Sequence, residues 1–197
     1  MVLKNEKDLN RVKRTLAWYN MIPNLIWSIL NLTPIVIYCF TLLDLKTLYV
    51  FLTVSLIPIF LKNSFLNKLQ IGKTVKIYKQ LRVHLINKVA QNGVIINNVI
   101  KRKFPDHRIV TVNRSSIAGL ISQTYLFEKF HLILFLFFSL TISYAFIKGH
   151  VIWAFIMLFT NVAYNIYPNL LQQYIRLKLT LFKKKINQNS VTEAASR

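Results

Sequence analysis

Four long runs without a charged residue constrain the fold of this chain more than any other feature. They cover residues 22–43, 47–61, 132–147 and 151–171. The first and last are long enough to cross a hydrocarbon core of about 30 Å, because a spanning helix needs roughly 20 apolar residues. The second and third are shorter and fit halves of helical hairpins. The sequence therefore predicts an all-α integral membrane protein whose four transmembrane helices form two hairpins.

The distribution of basic residues indicates the orientation of these spans. Lys and Arg number 26 against 6 Asp and Glu, which gives a formal net charge of +20. Five of them precede residue 22, thirteen lie between residues 62 and 129, and six lie from residue 176 onward. Only Lys46 and Lys148 lie in the two short connections. Because basic loops stay in the cytoplasm, we expect both termini on the cytoplasmic side. No small-x-small cleavage site follows the first run, so we expect it to remain as a span.

The segments around the spans differ in composition. Residues 1–21 alternate apolar and charged positions as an interfacial amphipathic helix does, and they precede a first hairpin at 22–61. Residues 62–129 are too polar to cross a membrane, so we predict basic helices along the membrane surface, with a turn at 91–93. A second hairpin at 130–172 and a basic cytoplasmic tail at 173–197 complete the predicted organisation.

The excess of basic charge points to anionic partners. Juxtamembrane Lys and Arg are attracted to the anionic inner leaflet by roughly 1 kcal/mol each. They could also bind an anionic substrate such as a phosphate-bearing thioester. Nucleic acid is not expected as a partner, because no recognisable binding module accompanies the charge. The oligomeric state is left open.

Several familiar active sites are absent from the sequence. There is no G-x-S-x-G, no H-E-x-x-H and no Gly-rich phosphate loop, since the chain has four glycines in all. The single cysteine, Cys39, lies inside the first apolar run and has no partner for a disulfide or a metal. We therefore expect no metal and no bound cofactor.

One candidate site is the pair Glu128 and His131 at the start of the third apolar run. A spacing of three residues places both side chains on one helix face, so the carboxylate could accept the imidazole N–H and fix its tautomer. A histidine held in this way can act as a general base on a hydroxyl group. The alternative is an interfacial ion pair that anchors the helix.

A second candidate site is a polar stripe on the fourth span. Its members recur every three or four residues: Asn161, Asn165, Pro168 or Asn169, Gln172 and Arg176. Polar side chains in a bilayer are costly unless they face a partner or a cavity, so the stripe should point inward. Substrate contact and hydrogen bonding between helices both account for it. Arg176 could bind a phosphate or carboxylate through two hydrogen bonds, or it could extend to the lipid head groups.

The order of these features resembles that of the glycosyl-4,4'-diaponeurosporenoate acyltransferases of bacterial carotenoid pathways. The likeness covers roughly residues 20–180 and includes the basic segment "KVAQNGVIINNVIKRKF", E-x-x-H at Glu128 and His131, and the ending "NIYPNLLQQYIRLKL". That ending is similar to a family pattern Gln-Arg-Tyr-Asn-Arg-x-Arg. Gln172, Tyr174 and Arg176 fit the pattern, whereas Gln173, Ile175 and Lys178 depart from it.

The resemblance implies an acyltransferase of the bacterial cell membrane, and with it a set of residue roles. A fatty acyl thioester would be the co-substrate, and the acceptor would be a sugar hydroxyl of a glycosylated, membrane-dissolved carotenoid or a similar amphiphile. His131 would act as the base, Glu128 would orient it, and Arg176 would bind the phosphates of the donor. The other predicted substrate-binding residues are Gln172, Tyr174, Asn165 and Asn161. The alternative function is a non-enzymatic scaffold that uses its basic face to hold lipid or a partner.

Overall fold

A computed structural model describes residues 6–85 and 114–195, together with the single residues Asn98 and Arg102. Every regular element in these ranges is helical, which confirms the all-α prediction for them. The predicted turn at 91–93 and most of the central segment beyond residue 85 lie outside the described residues. The elements are α1 (Glu6–Thr41), α2 (Leu45–Ser55), a 3-10 turn (Ile57–Phe60), α3 (Asn63–Lys68), α4 (Val75–Gln80), α5 (Arg114–Ile147), α6 (Val151–Asn161), a π turn (Val162–Ile166) and α7 (Tyr167–Ala195).

Among the described residues, three helical stretches are long and apolar enough to cross a membrane. They are Ala17–Thr41, Ile117–Ile147 and Val151–Gln188. The second predicted span falls on Leu45–Phe60, which is apolar but shorter, because α2 ends at Ser55 and continues as a 3-10 turn that holds Pro58. The three long helices are compatible with a membrane protein. An arrangement of four spans in two hairpins stays a prediction.

Helix α1 continues without a break from the charged N-terminal residues into the first candidate span. Pro34 lies inside this helix and does not end it. Polar side chains along α1 bond to the preceding turn, as when Asn31 donates to the carbonyl of Trp27 at 2.8 Å and Thr33 to that of Ile29 at 2.6 Å. Such bonds satisfy side-chain polar groups within the helix itself.

Two apolar clusters lie at different levels of the bundle. In the first, side chains of α1, α5 and α6 such as Tyr38, Phe138 and Met157 are fully buried against one another. In the second, α4 packs on α7, with Tyr78 fully buried beside Tyr174. The second cluster fixes part of the basic segment onto the last helix.

Hydrogen bonds join the two short connections at one end of the bundle. The Tyr38 hydroxyl lies 2.9 Å from Nδ1 of His150, and the Tyr144 hydroxyl donates to Asp44 Oδ2 at 3.4 Å. Asp44 also accepts the amide N–H of Thr47 at 2.9 Å and so caps α2. Bonds from the Thr47 side chain and amide hold the pKa of the Asp44 carboxyl below its usual range. The α1–α2 and α5–α6 connections therefore meet at the same end.

The π turn between α6 and α7 changes which residues face inward. A π turn holds an extra residue, and Pro168, the second residue after it, has no N–H to donate to the carbonyl of Tyr164. The buried positions of the polar stripe are four residues apart from Asn161 to Gln173. The last interval, from Gln173 to Arg176, is three residues. The buried members of the stripe are Asn161, Asn165, Asn169, Gln173 and Arg176.

Candidate functional site

A buried ion pair joins α5 to α7. Arg176 Nη1 lies 2.5 Å from Glu128 Oε2, and the two residues are 3% and 1% exposed. The other carboxylate oxygen, Oε1, accepts a hydrogen bond from Nε2 of Gln173 at 2.9 Å. Both oxygens of Glu128 thus have a donor, as a buried carboxylate requires.

Only part of the Arg176 guanidinium is used by this pair. Its Cζ lies 4.2 Å from the centre of the Tyr125 ring, a cation–π contact, while Nε and Nη2 are buried and have no hydrogen-bond partner. Arg176 therefore does not extend to head groups; it is a fixed, buried cation with two donors still available.

Gln173 connects the ion pair to the basic segment. Its Oε1 accepts hydrogen bonds from the Tyr78 hydroxyl at 3.1 Å and from the amide N–H of Ile71 at 3.3 Å. The Tyr78 hydroxyl also lies 3.3 Å from the carbonyl oxygen of Gly72, and burial raises the pKa of Tyr78 above its usual value. Residues 71–78 are therefore held against α7 through the same side chain that donates to Glu128.

The ion pair lies far from the connections at the other end of the bundle. At ~1.5 Å per residue, Glu128 is about 28 Å from Ile147, the last residue of α5. This length is close to the thickness of a hydrocarbon core, about 30 Å. If the connection after Ile147 lies at one membrane surface, the ion pair lies near the opposite surface, on the side of the basic segment.

His131 lies one turn from Glu128 but does not pair with it, which corrects the expected hydrogen bond between them. Glu128 instead accepts hydrogen bonds from Gln173 and Arg176 of α7. Because these two donors, one of them charged, already bond to both carboxylate oxygens, His131 is not needed as a partner. The imidazole instead packs edge-on against Tyr164, with ring centres 5.9 Å apart, and lies within reach of the Asn165 side chain. Its Nδ1 is buried without a hydrogen-bond partner.

The remaining predicted residues are distributed along α6 and α7. Asn165 donates to Asn161 Oδ1 at 2.8 Å, and Asn161 in turn lies 3.3 Å from Oγ of Ser139 on α5. Tyr174 is buried, 6.1 Å from the Tyr78 ring centre, and takes part in the packing of α4 on α7. Gln172 is half-buried and lies outside the hydrogen bonds of the ion pair. The structure thus brings together Glu128 and Arg176 with an unpredicted residue, Gln173.

Comparison with known families gives a match that covers this part of the chain. The family model for glycosyl-4,4'-diaponeurosporenoate acyltransferases matches residues 62–185, which is more than half of the chain. The chain belongs to this family. The matched segment contains every residue of the ion pair and its surroundings. Comparisons with curated proteins and with solved structures give no match.

Two aromatic side chains of this acyltransferase-family segment were not predicted as part of the site. Tyr78 lies on a short helix of the basic segment and Tyr125 lies three residues before Glu128. Tyr125 donates its hydroxyl to Asn67 at 2.8 Å while its ring faces Arg176. Tyr125 and Glu128 are three residues apart and so share one helix face, and this spacing could have indicated Tyr125 as a neighbour of the carboxylate. Nothing in the local sequence indicates Tyr78, because its contact with α7 depends on the tertiary fold.

Gly72 offers a test of how the basic segment is held against α7. A Cβ at this buried glycine would lie 2.5 Å from Cδ1 of Ile77 and 3.2 Å from its Cβ. We expect Gly72→Ala to displace residues 71–78 and to weaken the hydrogen bonds of Ile71 and Tyr78 to Gln173. The free energy of unfolding should fall by about 1–3 kcal/mol. Thermal unfolding of the purified protein measures this change.

The matched control for Gly72→Ala is the double variant Gly72→Ala/Ile77→Ala, which removes the Ile77 Cδ1 that the new Cβ would approach most closely and keeps the Cβ at 3.2 Å. The double variant should be more stable than the sum of the two single changes predicts, because the shortest of the steric contacts is absent. Strictly additive losses would show that Gly72 and Ile77 do not compete for this space.

Proposed function

We propose that this chain is a membrane acyltransferase that transfers a fatty acyl group to a sugar hydroxyl of a glycosylated carotenoid or a similar glycolipid. The supporting observation is the buried Glu128–Arg176 pair, which lies within the segment that matches the acyltransferase family. Ionisable residues inside apolar helices are costly and are usually kept for function. The level of this pair, about 28 Å from the last residue of α5, suits two amphiphilic substrates whose tails remain in the lipid.

In the proposed reaction His131 is the general base. A neutral imidazole has one nitrogen that accepts a proton, and the unpartnered Nδ1 leaves the ring free to do so. The imidazole takes the proton of the acceptor hydroxyl as the oxygen attacks the thioester carbonyl carbon. The carbon–oxygen ester bond forms, the carbon–sulfur bond breaks, and the leaving thiolate receives the proton from the imidazolium. The products are the acylated sugar and a free thiol.

Glu128 takes a different role from that of orienting His131. It fixes the guanidinium of Arg176, whose Nε and Nη2 remain available as donors. These donors suit the phosphates of the acyl donor or the oxyanion that forms at the carbonyl carbon. Asn161 and Asn165 hold each other beside the imidazole and help to position the acceptor. Gln172 and Tyr174 remain proposed binding residues on the same helix.

The proposed setting is a bacterial cell membrane with both termini in the cytoplasm. The basic side chains of α4 and α7, such as Lys76, Lys79, Lys183 and Lys184, are then available to anionic lipids of the inner leaflet. In that orientation the ion pair lies on the cytoplasmic side, where fatty acyl thioesters are found in solution or on carrier proteins.

The test is mass spectrometry of pigments and glycolipids from a host that makes a glycosylated carotenoid. Cells with and without the chain are grown with deuterated fatty acid. We expect a new species whose mass exceeds that of the glycosylated carotenoid by one acyl group and shifts with the deuterium label. If no acylated species forms although the protein is inserted in the membrane, the transferase proposal fails and the scaffold alternative gains support.

A further inference from the structure

Buried polar atoms without partners are concentrated where α5 meets α7. Among the described residues these atoms are His131 Nδ1, Asn165 Oδ1, Asn169 Oδ1, Arg176 Nε and Arg176 Nη2, with one ring nitrogen of His84 elsewhere. Each such atom costs about 1–3 kcal/mol if it remains unpaired. Because buried polar groups nearly always have a partner, a polar ligand or ordered water at this seam would satisfy these atoms.

The kinds of atom limit the chemistry of that ligand. The two asparagine oxygens are acceptors, whereas the two guanidinium nitrogens are donors. An anion would satisfy Arg176 but has no hydrogen to donate to the asparagine oxygens, which would stay unpaired. A hydroxyl group both donates and accepts, so a ligand with several hydroxyl groups satisfies both sets.

The positions of these atoms also limit where the ligand lies. Asn165, Asn169 and Gln173 follow one another at intervals of about 6 Å along the helix axis. His131 packs at the level of Tyr164 and Asn165, and Glu128 binds at the level of Gln173. Asn169 therefore lies between the imidazole and the ion pair, and it is 9% exposed.

We propose that the seam between α5 and α7 at Asn165 and Asn169 binds the sugar head group of the acceptor as a neutral polyol. This inference rests on the proposed function in one respect, that the acceptor is glycosylated. Asn165 and Asn169 accept hydrogen bonds from two sugar hydroxyls, and one of the two unpaired Arg176 nitrogens donates to a sugar oxygen while the other is left for the acyl donor. A hydroxyl held by Asn165 lies beside His131, which places the reacting group next to the base.

Native mass spectrometry of the protein in a polyoxyethylene detergent tests this proposal. The probes are dodecyl β-D-glucoside, dodecanol and dodecyl phosphate, which share a tail and differ in the head group. We expect one dodecyl β-D-glucoside to bind saturably and more tightly than either other probe. Asn169→Leu should weaken this binding by about tenfold, since it removes a buried acceptor of the glucoside. Asn63→Leu, on the exposed surface of α3, is the matched control and should leave the binding unchanged.

Several results would overturn the proposal. Equal binding of dodecanol and dodecyl glucoside would show that only the tail is recognised. Tighter binding of dodecyl phosphate that displaces bound dodecyl glucoside would assign the unpaired atoms to an anion site at Arg176. Unchanged glucoside binding by a folded Asn169→Leu variant would remove the asparagine from the site.

The comparison of the three probes on the unaltered protein remains decisive if the variant fails to fold. Selective glucoside binding without any acyl transfer in cells would support the sugar site and contradict the proposed reaction. Acyl transfer without selective glucoside binding would support the proposed reaction and contradict the sugar site.

Discussion

Glu128→Leu is expected to destabilise the protein by about 3–5 kcal/mol, because it leaves a buried guanidinium without its counter-charge. Arg176 is 3% exposed and has the carboxylate as its charged hydrogen-bond partner. Gln173 would at the same time lose the acceptor for its Nε2. Thermal unfolding in detergent, followed by circular dichroism, measures the loss.

The double variant Glu128→Leu/Arg176→Met is the control for the ion pair. Replacing both members of a buried pair with apolar side chains is often neutral, so most of the stability should return. The sum of the losses in free energy of unfolding for the two single variants should therefore exceed the loss for the double variant by several kcal/mol. If the three variants were additive, the contact between Glu128 and Arg176 would contribute little, and the buried cation would have another source of stabilisation.

His131→Ala is expected to lower acyl transfer by about 10²–10⁴-fold, the usual contribution of a general base. The protein should still insert in the membrane, because the imidazole makes ring contacts and its Nδ1 has no hydrogen bond to lose. The measurement is the yield of acylated pigment per amount of inserted protein. A loss confined to turnover would assign the chemistry to this side chain.

His150→Ala is the matched control for His131→Ala. His150 lies at the opposite end of α5, where it bonds to the Tyr38 hydroxyl at 2.9 Å. Its replacement removes one hydrogen bond, worth about 1 kcal/mol, and should leave turnover per inserted protein unchanged. Equal losses in both variants would indicate a general effect on folding, and full activity of His131→Ala would exclude the imidazole as the base.

Much of the fold was predictable because long hydrophobic runs indicate long apolar helices directly. The shorter run at 47–61 was less informative. Its helix ends at Ser55 ahead of Pro58, and the resulting apolar stretch, Leu45–Phe60, falls below the length of the other three. Helix ends of this kind depend on local capping and proline geometry, which the apolar composition does not report.

The charged residues of the candidate site could be predicted from the sequence. Which neighbouring helix positions face them could not. Glu128 and Arg176 could be identified because ionisable side chains beside apolar runs are rare. Gln172 was predicted in place of Gln173 because a regular helix was assumed, whereas a π turn at Val162–Ile166 precedes this part of the helix. The pairing of Glu128 with His131 was expected from local spacing. A charged partner from another helix took its place, and local spacing cannot reveal such a partner.

The buried ion pair joins two helices that are each long and apolar enough to cross a membrane. Glu128 and Arg176 belong to two different candidate spans, Ile117–Ile147 and Val151–Gln188. Either helix alone would expose an unpaired charge close to the lipid, at a cost that falls only when the opposite charge arrives. The two helices are joined by a turn of a few residues and can neutralise each other as soon as both have been synthesised. If these two candidate spans cross a membrane, we therefore expect them to enter it together as a helical pair and not one after the other.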